Sequence, residues 1–225
     1  HVHEHLEGWS GILQADAYSG YNKLYAADRQ PAPILEAACW SHGRRKFFVL
    51  ADIEAAADRL DGHAVKTPLI ESAALNERLG LRVLIKPETL QRVGAFKFRG
   101  AYNRLVQLSA EERVRGVVAF SSGNHAQGVA FSGQKLGIKT TIVMPVTTPA
   151  IKISAVKSYG ATVVLFGDNY SEAAEHCALL IAQSGMIFIP PFDDELVIAG
   201  QGTVANELLR QSAGNMDAVF IPVGG

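Results

Sequence analysis

Residues 116–145 read "GVVAFSSGNHAQGVAFSGQKLGIKTTIVMP", two short apolar runs separated by an amphipathic stretch. The same alternation continues through "AIKISAVKSYG" (150–160), "ATVVLFG" (161–167), "YSEAAEHCALLIAQSG" (170–185) and "MIFIP" (186–190). Apolar strands that alternate with helices are typical of a parallel sheet covered on both faces. Gly137, Gly160 and Gly185 follow the helical stretches, where left-handed C-caps are expected. The pattern therefore predicts an α/β fold with parallel sheets and flanking helices.

The flanking segments add further predicted elements. We expect helices in "ADIEAAADRL" (51–60), "ESAALNERLG" (71–80), "FKFRGAYNRLVQL" (96–108, beginning near Lys97) and "DELVIAGQGTVANELLRQS" (194–212). The run "LRVLIKPE" (81–88) predicts a strand, and "MDAVFIPVGG" (216–225) predicts a buried strand that ends in paired glycines. Paired glycines after a strand can form a phosphate-binding nest of backbone amides, although a tight turn explains them equally well.

Composition limits the possible partners. The 225 residues are 48% hydrophobic, with 21 basic and 22 acidic side chains, so no overall field favours nucleic acid or membrane. The two cysteines, Cys39 and Cys177, are far apart and fit a reducing cytoplasm better than a disulfide framework. The first residue is His1 and the last two are glycines, so both ends look cut.

The first fifty residues do not follow this alternation, which places a junction near residue 50. We expect one domain over residues 1–49 and another over 50–225. His1, His3 and His5 alternate near the start, and "CWSH" (39–42) has a Cys-x-x-His spacing. A chain end is commonly disordered and one Cys–His pair is half a zinc site, so we expect no metal site.

The turn "SSGNHAQG" (121–128) carries the first chemical signal. It follows a predicted strand and opens a helix, so its backbone N–H groups can bind an anion, and Gly123 permits close approach. Ligands of open α/β sheets bind beyond the carboxyl ends of the strands. The alternative is that its serines and Asn124 simply cap the helix, which these residue types do well.

The second signal is "GAFKFRGA" (94–101), in which Lys97 stands between two phenylalanines. A desolvated lysine has a lowered pKa, which leaves more free amine to attack a carbonyl group. The alternative is a surface lysine whose stem lies along apolar neighbours while its charge reaches water. Lys97 alone leaves both interpretations open.

Four segments together resemble a known family. They are "KPETLQRVGAFKFRGAYNRL" (86–105), "SSGNHAQGVA" (121–130), "AGQGTVANELL" (199–209) and "VFIPVGG" (219–225). In this order they resemble the fold-type II pyridoxal-phosphate enzymes (tryptophan synthase β-like), in particular the threonine/serine dehydratase (threonine ammonia-lyase) and serine racemase group. The resemblance implies a smaller subdomain over 112–190 and a larger one built from 50–111 and 191–225.

The resemblance also implies cofactor contacts. Lys97 would hold pyridoxal 5'-phosphate covalently through its amine and, once displaced by substrate, would move the α-proton. Phe96 would lie against the cofactor, and Asn124 would bond the 3'-oxygen of its pyridine ring. Gly224 and Gly225 would begin the loop that binds its phosphate.

The implied substrate is an amino acid such as L-threonine or L-serine. Ser121, Ser122, Asn124 and His125 would bind its carboxylate, largely through the loop and the helix terminus. The implied reaction is β-elimination to a 2-oxo acid and ammonia, as in isoleucine biosynthesis. Serine racemase activity is the alternative, in which Ser122 would act as the acid and base on the opposite face.

The family pattern stops at the second terminal glycine, so we expect the larger subdomain to be incomplete and this chain to be possibly inactive. A complete enzyme of this group is expected to be a cytoplasmic homo-oligomer. A non-catalytic fusion fragment is therefore a further alternative.

Residues 5–48 resemble a different family. "LQADAYSGYNKLY" (13–25) and "EAACWSHGRRKFF" (36–48) are similar to insertion-sequence transposases with a DDE-type nuclease core. The resemblance makes Asp16 the second metal-binding carboxylate of that core. Two-metal phosphoryl transfer needs several carboxylates, and the other two positions are absent, so we expect an α+β remnant without nuclease activity.

Overall fold

The computed structural model describes residues 12–15, 35–38, 40–213 and 216–221, and before residue 50 it describes the secondary structure alone. The chain divides into two compact units, residues 1–51 and 52–225. In the first unit, β1 (Ile12–Ala15) pairs in parallel with β2 (Leu35–Ala38). Helix α1 (Trp40–Leu60) begins in the first unit and continues into the second. The helix predicted from residue 51 therefore begins at Trp40, since no proline interrupts residues 40–60.

The second unit continues with a regular series of elements. In order these are β3 (Ile70–Glu71), α2 (Ala73–Leu79), β4 (Leu84–Ile85), two 3-10 turns (Glu88–Leu90 and Arg92–Gly94), α3 (Lys97–Val106), α4 (Ala110–Arg115), β5 (Val117–Phe120), α5 (Asn124–Leu136), β6 (Thr140–Met144), α6 (Ala150–Ser158), β7 (Thr162–Leu165), α7 (Tyr170–Ser184), β8 (Ile187–Phe188) and α8 (Glu195–Gln211). The strands and helices predicted between residues 116 and 190 are confirmed. The strand predicted over 81–88 is shorter, because β4 pairs with β3 over two residues.

A four-stranded parallel sheet, in the order β7-β6-β5-β8, forms the centre of this unit. Successive residues of β5 face opposite sides: Val117 and Ala119 pack with α5 and α6, whereas Val118 packs with α7. Both faces are apolar because each is covered by helices. The α/β fold with flanking helices is thus confirmed.

The strand predicted at the end of the chain is wrong for the residues that the structure describes there. Residues 216–221 have no regular secondary structure, and Phe220 is 94% exposed. A strand needs a neighbouring strand to exchange backbone hydrogen bonds. Among the described residues, none pairs with this segment. The two terminal glycines lie outside the described residues.

Helix α3 lies between α5 and α8, and glycines form the crossing points. A Cβ on Gly100 would lie 2.8 Å from the Val197 carbonyl oxygen, and one on Gly200 would lie 2.6 Å from the Arg99 carbonyl oxygen. Toward α5, a Cβ on Gly128 would lie 3.1 Å from the carbonyl carbon of Lys97. The absence of side chains lets the three backbones approach, which fixes where α3 begins.

Arg99 anchors α3 through a buried network of charges. Its guanidinium is 1% exposed and donates to both carboxylate oxygens of Glu88, at 2.8 and 2.9 Å, and of Glu207, at 2.7 and 3.1 Å. Lys86 donates to Glu207 and to the Thr67 carbonyl oxygen. Burial opposes the charge of Arg99, but the hydrogen bonds and negative charges of its two partners raise its pKa above the usual value. Two cations and two anions therefore neutralise each other inside the fold.

We expect Arg99→Met to destabilise the fold by about 3 kcal/mol, because the largely buried carboxylates of Glu88 and Glu207 lose the guanidinium that they share and only Lys86 remains beside Glu207. The matched control is Arg82→Met, since Arg82 pairs with Glu71 at the surface, with side chains 66% and 39% exposed. Solvent screens an exposed pair, so we expect a much smaller loss of stability for Arg82→Met. Urea unfolding of both variants measures the difference, and equal losses would show that the buried network does not hold α3.

The same network predicts a pH dependence. Burial alone raises the pKa of Glu207, but hydrogen bonds and positive charge from Arg99 and Lys86 outweigh it and hold the pKa below its usual value. A lowered folded-state pKa stabilises the fold above the unfolded-state pKa, about 4.3, and this contribution disappears as the pH falls through the folded-state pKa. We expect the stability of the wild type to fall more steeply below about pH 4.3 than that of Glu207→Gln. Urea unfolding at graded pH tests this, and parallel profiles would contradict it.

Candidate active site

The side chain of Lys97 is half-buried at the start of α3. Its Nζ donates a hydrogen bond to the Pro191 carbonyl oxygen at 2.6 Å and lies 5.3 Å from the centre of the Phe96 ring, which is 40% exposed. Burial lowers the pKa of Lys97. The surface-lysine alternative does not describe this amine, because it is bonded to the backbone rather than extended into water.

The loop before Lys97 has an unusual backbone. Val93 has φ 57° and Gly94 has φ 68°, and the left-handed region costs a β-branched residue roughly 1–2 kcal/mol. Gln91 holds the loop in place, because its side-chain amide accepts from the Val65 N–H at 2.8 Å and donates to the Val65 carbonyl at 2.7 Å. This anchored turn directs the chain into α3 at Lys97.

The Ser–Gly–Asn turn lies between β5 and α5. The N-cap of α5 is Gly123, and none of the side chains that the structure describes caps the helix, so the helix-capping alternative is wrong. Ser121 instead accepts from the Gly123 N–H at 3.2 Å and stiffens the turn. Among the described residues, the N–H groups of Asn124, His125 and Ala126 have no backbone acceptor. An uncapped helix N-terminus of this kind attracts anions.

The N-cap residue of the helix borders open space. A Cβ on Gly123 would meet no heavy atom of the described residues within 4 Å. Asn124 is exposed, and Ser121 and Ser122 are partly buried. These side chains therefore border open space rather than packed core.

The imidazole of His125 is turned away from this space. It is 3% exposed, and its Nε2 donates to the Ile189 carbonyl oxygen at 2.9 Å. The pKa of His125 is lowered to about 4, chiefly by burial; the hydrogen bond to Ile189 opposes this shift and the charge of nearby Lys97 adds to it. The imidazole is neutral at neutral pH, so a carboxylate could use the backbone N–H of His125 but not its ring.

The structure brings together most of the site residues that the sequence suggested. Lys97 is close enough to His125 for its charge to lower the pKa of the imidazole, and Gly128 of α5 lies against the Lys97 backbone. The two predicted phosphate-binding residues, Gly224 and Gly225, lie outside the described residues, as does Asp16.

Sequence reasoning missed two contributors. Pro191 supplies the acceptor for Lys97, and Gly128 supplies the close approach of α5. The Pro-Pro pair at the end of the strand predicted over 186–190 and the glycine inside a helix were visible signals. Neither signal shows which residue Pro191 or Gly128 contacts, because that depends on the tertiary structure.

Comparison with known proteins assigns the family. The model of the family described as "Pyridoxal-phosphate dependent enzyme" matches residues 60–225. This chain belongs to the pyridoxal-phosphate dependent enzyme family. A second model, "Transposase IS66 family", matches residues 1–78, so the transposase resemblance of the first residues is also confirmed.

Relatives within the pyridoxal-phosphate dependent family include amino-acid lyases and racemases. Over 162 residues the chain is 54% identical to biosynthetic chloroplastic threonine dehydratase of Arabidopsis thaliana, covering 72% of this chain and 27% of that protein. The processed form of threonine deaminase isoform 2 of Solanum lycopersicum has 48% identity and a TM-score of 0.70, covering 75% of this chain and 46% of that one. Serine racemase of Dictyostelium discoideum has 38% identity and a TM-score of 0.68, covering 72% and 53%. The chain thus spans about a quarter to a half of these relatives.

We expect Gly128→Ala to displace Lys97. The new Cβ would lie 3.1 Å from the Lys97 carbonyl carbon and oxygen and 3.2 Å from the Phe98 nitrogen, none of which can move without α3. Overpacking of this kind costs about 1–3 kcal/mol and outweighs a helix-propensity gain of about 1 kcal/mol. Urea unfolding and the rate of Lys97 acylation measure the effect.

The control is Gly202→Ala, another helical glycine. Its Cβ would meet the tip of the Ile53 side chain, which can rotate away, so a smaller loss and unchanged Lys97 acylation are expected. Equal behaviour of the two alanine variants would contradict a specific contact between α5 and Lys97.

Proposed function

We propose that this chain binds pyridoxal phosphate covalently through Lys97, in a site that removes ammonia from L-threonine or L-serine. One observation carries the proposal: a half-buried lysine amine of lowered pKa lies beside an uncapped helix N-terminus. An amine of this kind attacks an aldehyde, and a helix terminus of this kind binds a carboxylate or phosphate. The relatedness to threonine dehydratases supports the substrate class.

The residues present fit the cofactor. The space at Gly123 leaves room for a ligand next to the turn, and the half-exposed ring of Phe96 offers an apolar surface beside the amine. Asn124 is exposed at the start of α5 and is free to turn its amide toward a ring oxygen. We assign the phosphate to the loop that begins at Gly224 and Gly225.

Each residue then has a defined task. Pyridoxal phosphate supplies an electron sink that makes the α-hydrogen of an amino acid acidic. The Nζ of Lys97 accepts this proton, since its lowered pKa leaves more of the amine unprotonated. The backbone N–H groups of Asn124, His125 and Ala126 hold the substrate carboxylate. Loss of the β-hydroxyl as water, followed by hydrolysis, gives a 2-oxo acid and ammonia.

Serine racemisation is the second candidate. The relatedness to Dictyostelium serine racemase supports it, and Ser122 is partly buried in the turn that faces the open space. In this reaction the Ser122 hydroxyl would return a proton to the face of the substrate opposite Lys97.

The remaining assignments concern the whole protein. Among the described residues, no helix combines the length and apolar character needed to cross a bilayer. We further propose a cytoplasmic, homo-oligomeric enzyme in which residues 1–49 derive from a transposase and residues 50–225 supply the cofactor site. The alternative is a fusion fragment without catalytic activity, and the following experiments distinguish it from an enzyme.

We expect pyridoxal phosphate followed by borohydride reduction to place a pyridoxyl adduct on Lys97 of the full chain. Lys97→Ala should remove this adduct and the associated absorbance. The control is Lys135→Ala, since the Lys135 amine also lies near a phenylalanine ring, 6.0 Å from that of Phe131. Peptide mass spectrometry reads the site, and equal labelling of exposed lysines without preference for Lys97 would contradict the proposal.

The choice of reaction follows from the products. With L-serine and pyridoxal phosphate we expect a 2-oxo acid and ammonia in excess over D-serine, and Ser122→Ala should reduce any D-serine more than the 2-oxo acid. Chiral chromatography and an ammonia assay measure both. D-serine as the main product would favour the racemase, and the absence of both products despite a Lys97 adduct would show a cofactor-binding fragment without catalysis.

A further inference from the structure

We propose that His125 positions the Lys97 amine, acting through a rigid strap of Ile189, Pro190 and Pro191. This inference deepens the proposed function and rests on it for its catalytic meaning. The strap is the segment that follows β8, and its last carbonyl group accepts the hydrogen bond from the Lys97 amine at the start of α3.

Ile189 is the fixed end of the strap. It is fully buried, and its N–H donates to the Val118 carbonyl oxygen at 2.9 Å, which continues the pairing of β8 with β5. Its own carbonyl oxygen accepts from His125 Nε2 at 2.9 Å. Both polar backbone atoms of Ile189 are therefore held, one by the sheet and the other by α5.

The two prolines transmit this position to Lys97. Proline has a fixed φ and no backbone N–H, so neither residue can anchor itself through a donor of its own. The Pro191 carbonyl, 2.6 Å from the Lys97 Nζ, is therefore placed by the anchor two residues earlier. His125 and Lys97 stand on different helices and are joined mechanically by three residues.

His125 can serve this role because it is held in one form. Its Nδ1 is buried and has no hydrogen-bond partner among the residues that the structure describes, and its Nε2 donates to Ile189. A proton on Nδ1 would place a second positive charge in a buried site close to Lys97. The neutral tautomer with the proton on Nε2 therefore holds the strap.

The test uses the cofactor-free full chain and compares His125→Leu with His125→Gln. Leucine keeps an apolar side chain of moderate size without the donor, whereas glutamine offers an amide N–H at a similar reach.

Without the strap, the protonated Lys97 amine loses its acceptor and a larger fraction of the amine is neutral, because a hydrogen bond to the charged form stabilises that form. In His125→Leu we expect Lys97 to react with trace acetic anhydride at least about threefold faster relative to the exposed Lys152. His125→Gln should restore the wild-type ratio.

A second variant covers the case in which His125→Leu does not fold. Pro191→Gly leaves the buried histidine intact but frees the strap, and it should raise Lys97 acetylation in the same direction. An unchanged Lys97 ratio in folded His125→Leu or in Pro191→Gly, or equal ratios in the leucine and glutamine variants, would overturn the inference.

The outcome separates this inference from the proposed function. Acetylation is measured without pyridoxal phosphate. If the Lys97 acetylation ratio changes in the strap variants but the wild type forms no pyridoxyl adduct on Lys97, the proposed function is wrong and the strap inference stands. If the wild type forms the Lys97 adduct but the acetylation ratio is the same with and without His125, the strap inference is wrong and the proposed function stands.

Discussion

The close approach of three helix backbones is the constraint on which the site depends. Gly100 and Gly200 let α3 meet α8, and Gly128 lets α5 meet the first residue of α3. A methyl group at any of these positions would enter space that backbone or neighbouring side-chain atoms occupy. Because protein interiors are densely packed, the helices would have to separate. The position of the Lys97 backbone is therefore a consequence of packing at glycines.

Two cations two residues apart show how the fold assigns different roles to similar charges. Arg99 is fully buried and meets Glu88 and Glu207, so its pKa rises and its charge is permanent. Lys97 is half-buried, and burial lowers its pKa; within the part of the chain that the structure describes, no anion pairs with its amine. The paired charge of Arg99 fixes the helix, whereas the amine of lowered pKa is the one to which we assign the proposed chemistry.

The regular part of the fold was predictable because its signal is local. Strands β5 and β6 are apolar on both faces and their helices end at glycines, so the alternation identified each element between residues 116 and 190. The segment 216–221 shows the limit of this signal, since an apolar run forms a strand only beside a partner strand. Helix α1 begins at Trp40, earlier than predicted, because nothing in the local sequence marks a boundary at residue 51.

The sequence by itself determined the parallel α/β pattern, and it singled out the Ser–Gly–Asn turn and Lys97 as candidates for the site. Only the tertiary structure decided that Gly123 caps α5, that His125 turns its ring to Ile189, and that Pro191 holds the Lys97 amine. Helix and strand periodicity depends on neighbours a few residues away, so it can be read along the chain. A hydrogen bond between residues 94 positions apart depends on how helices cross, and no local pattern contains that information.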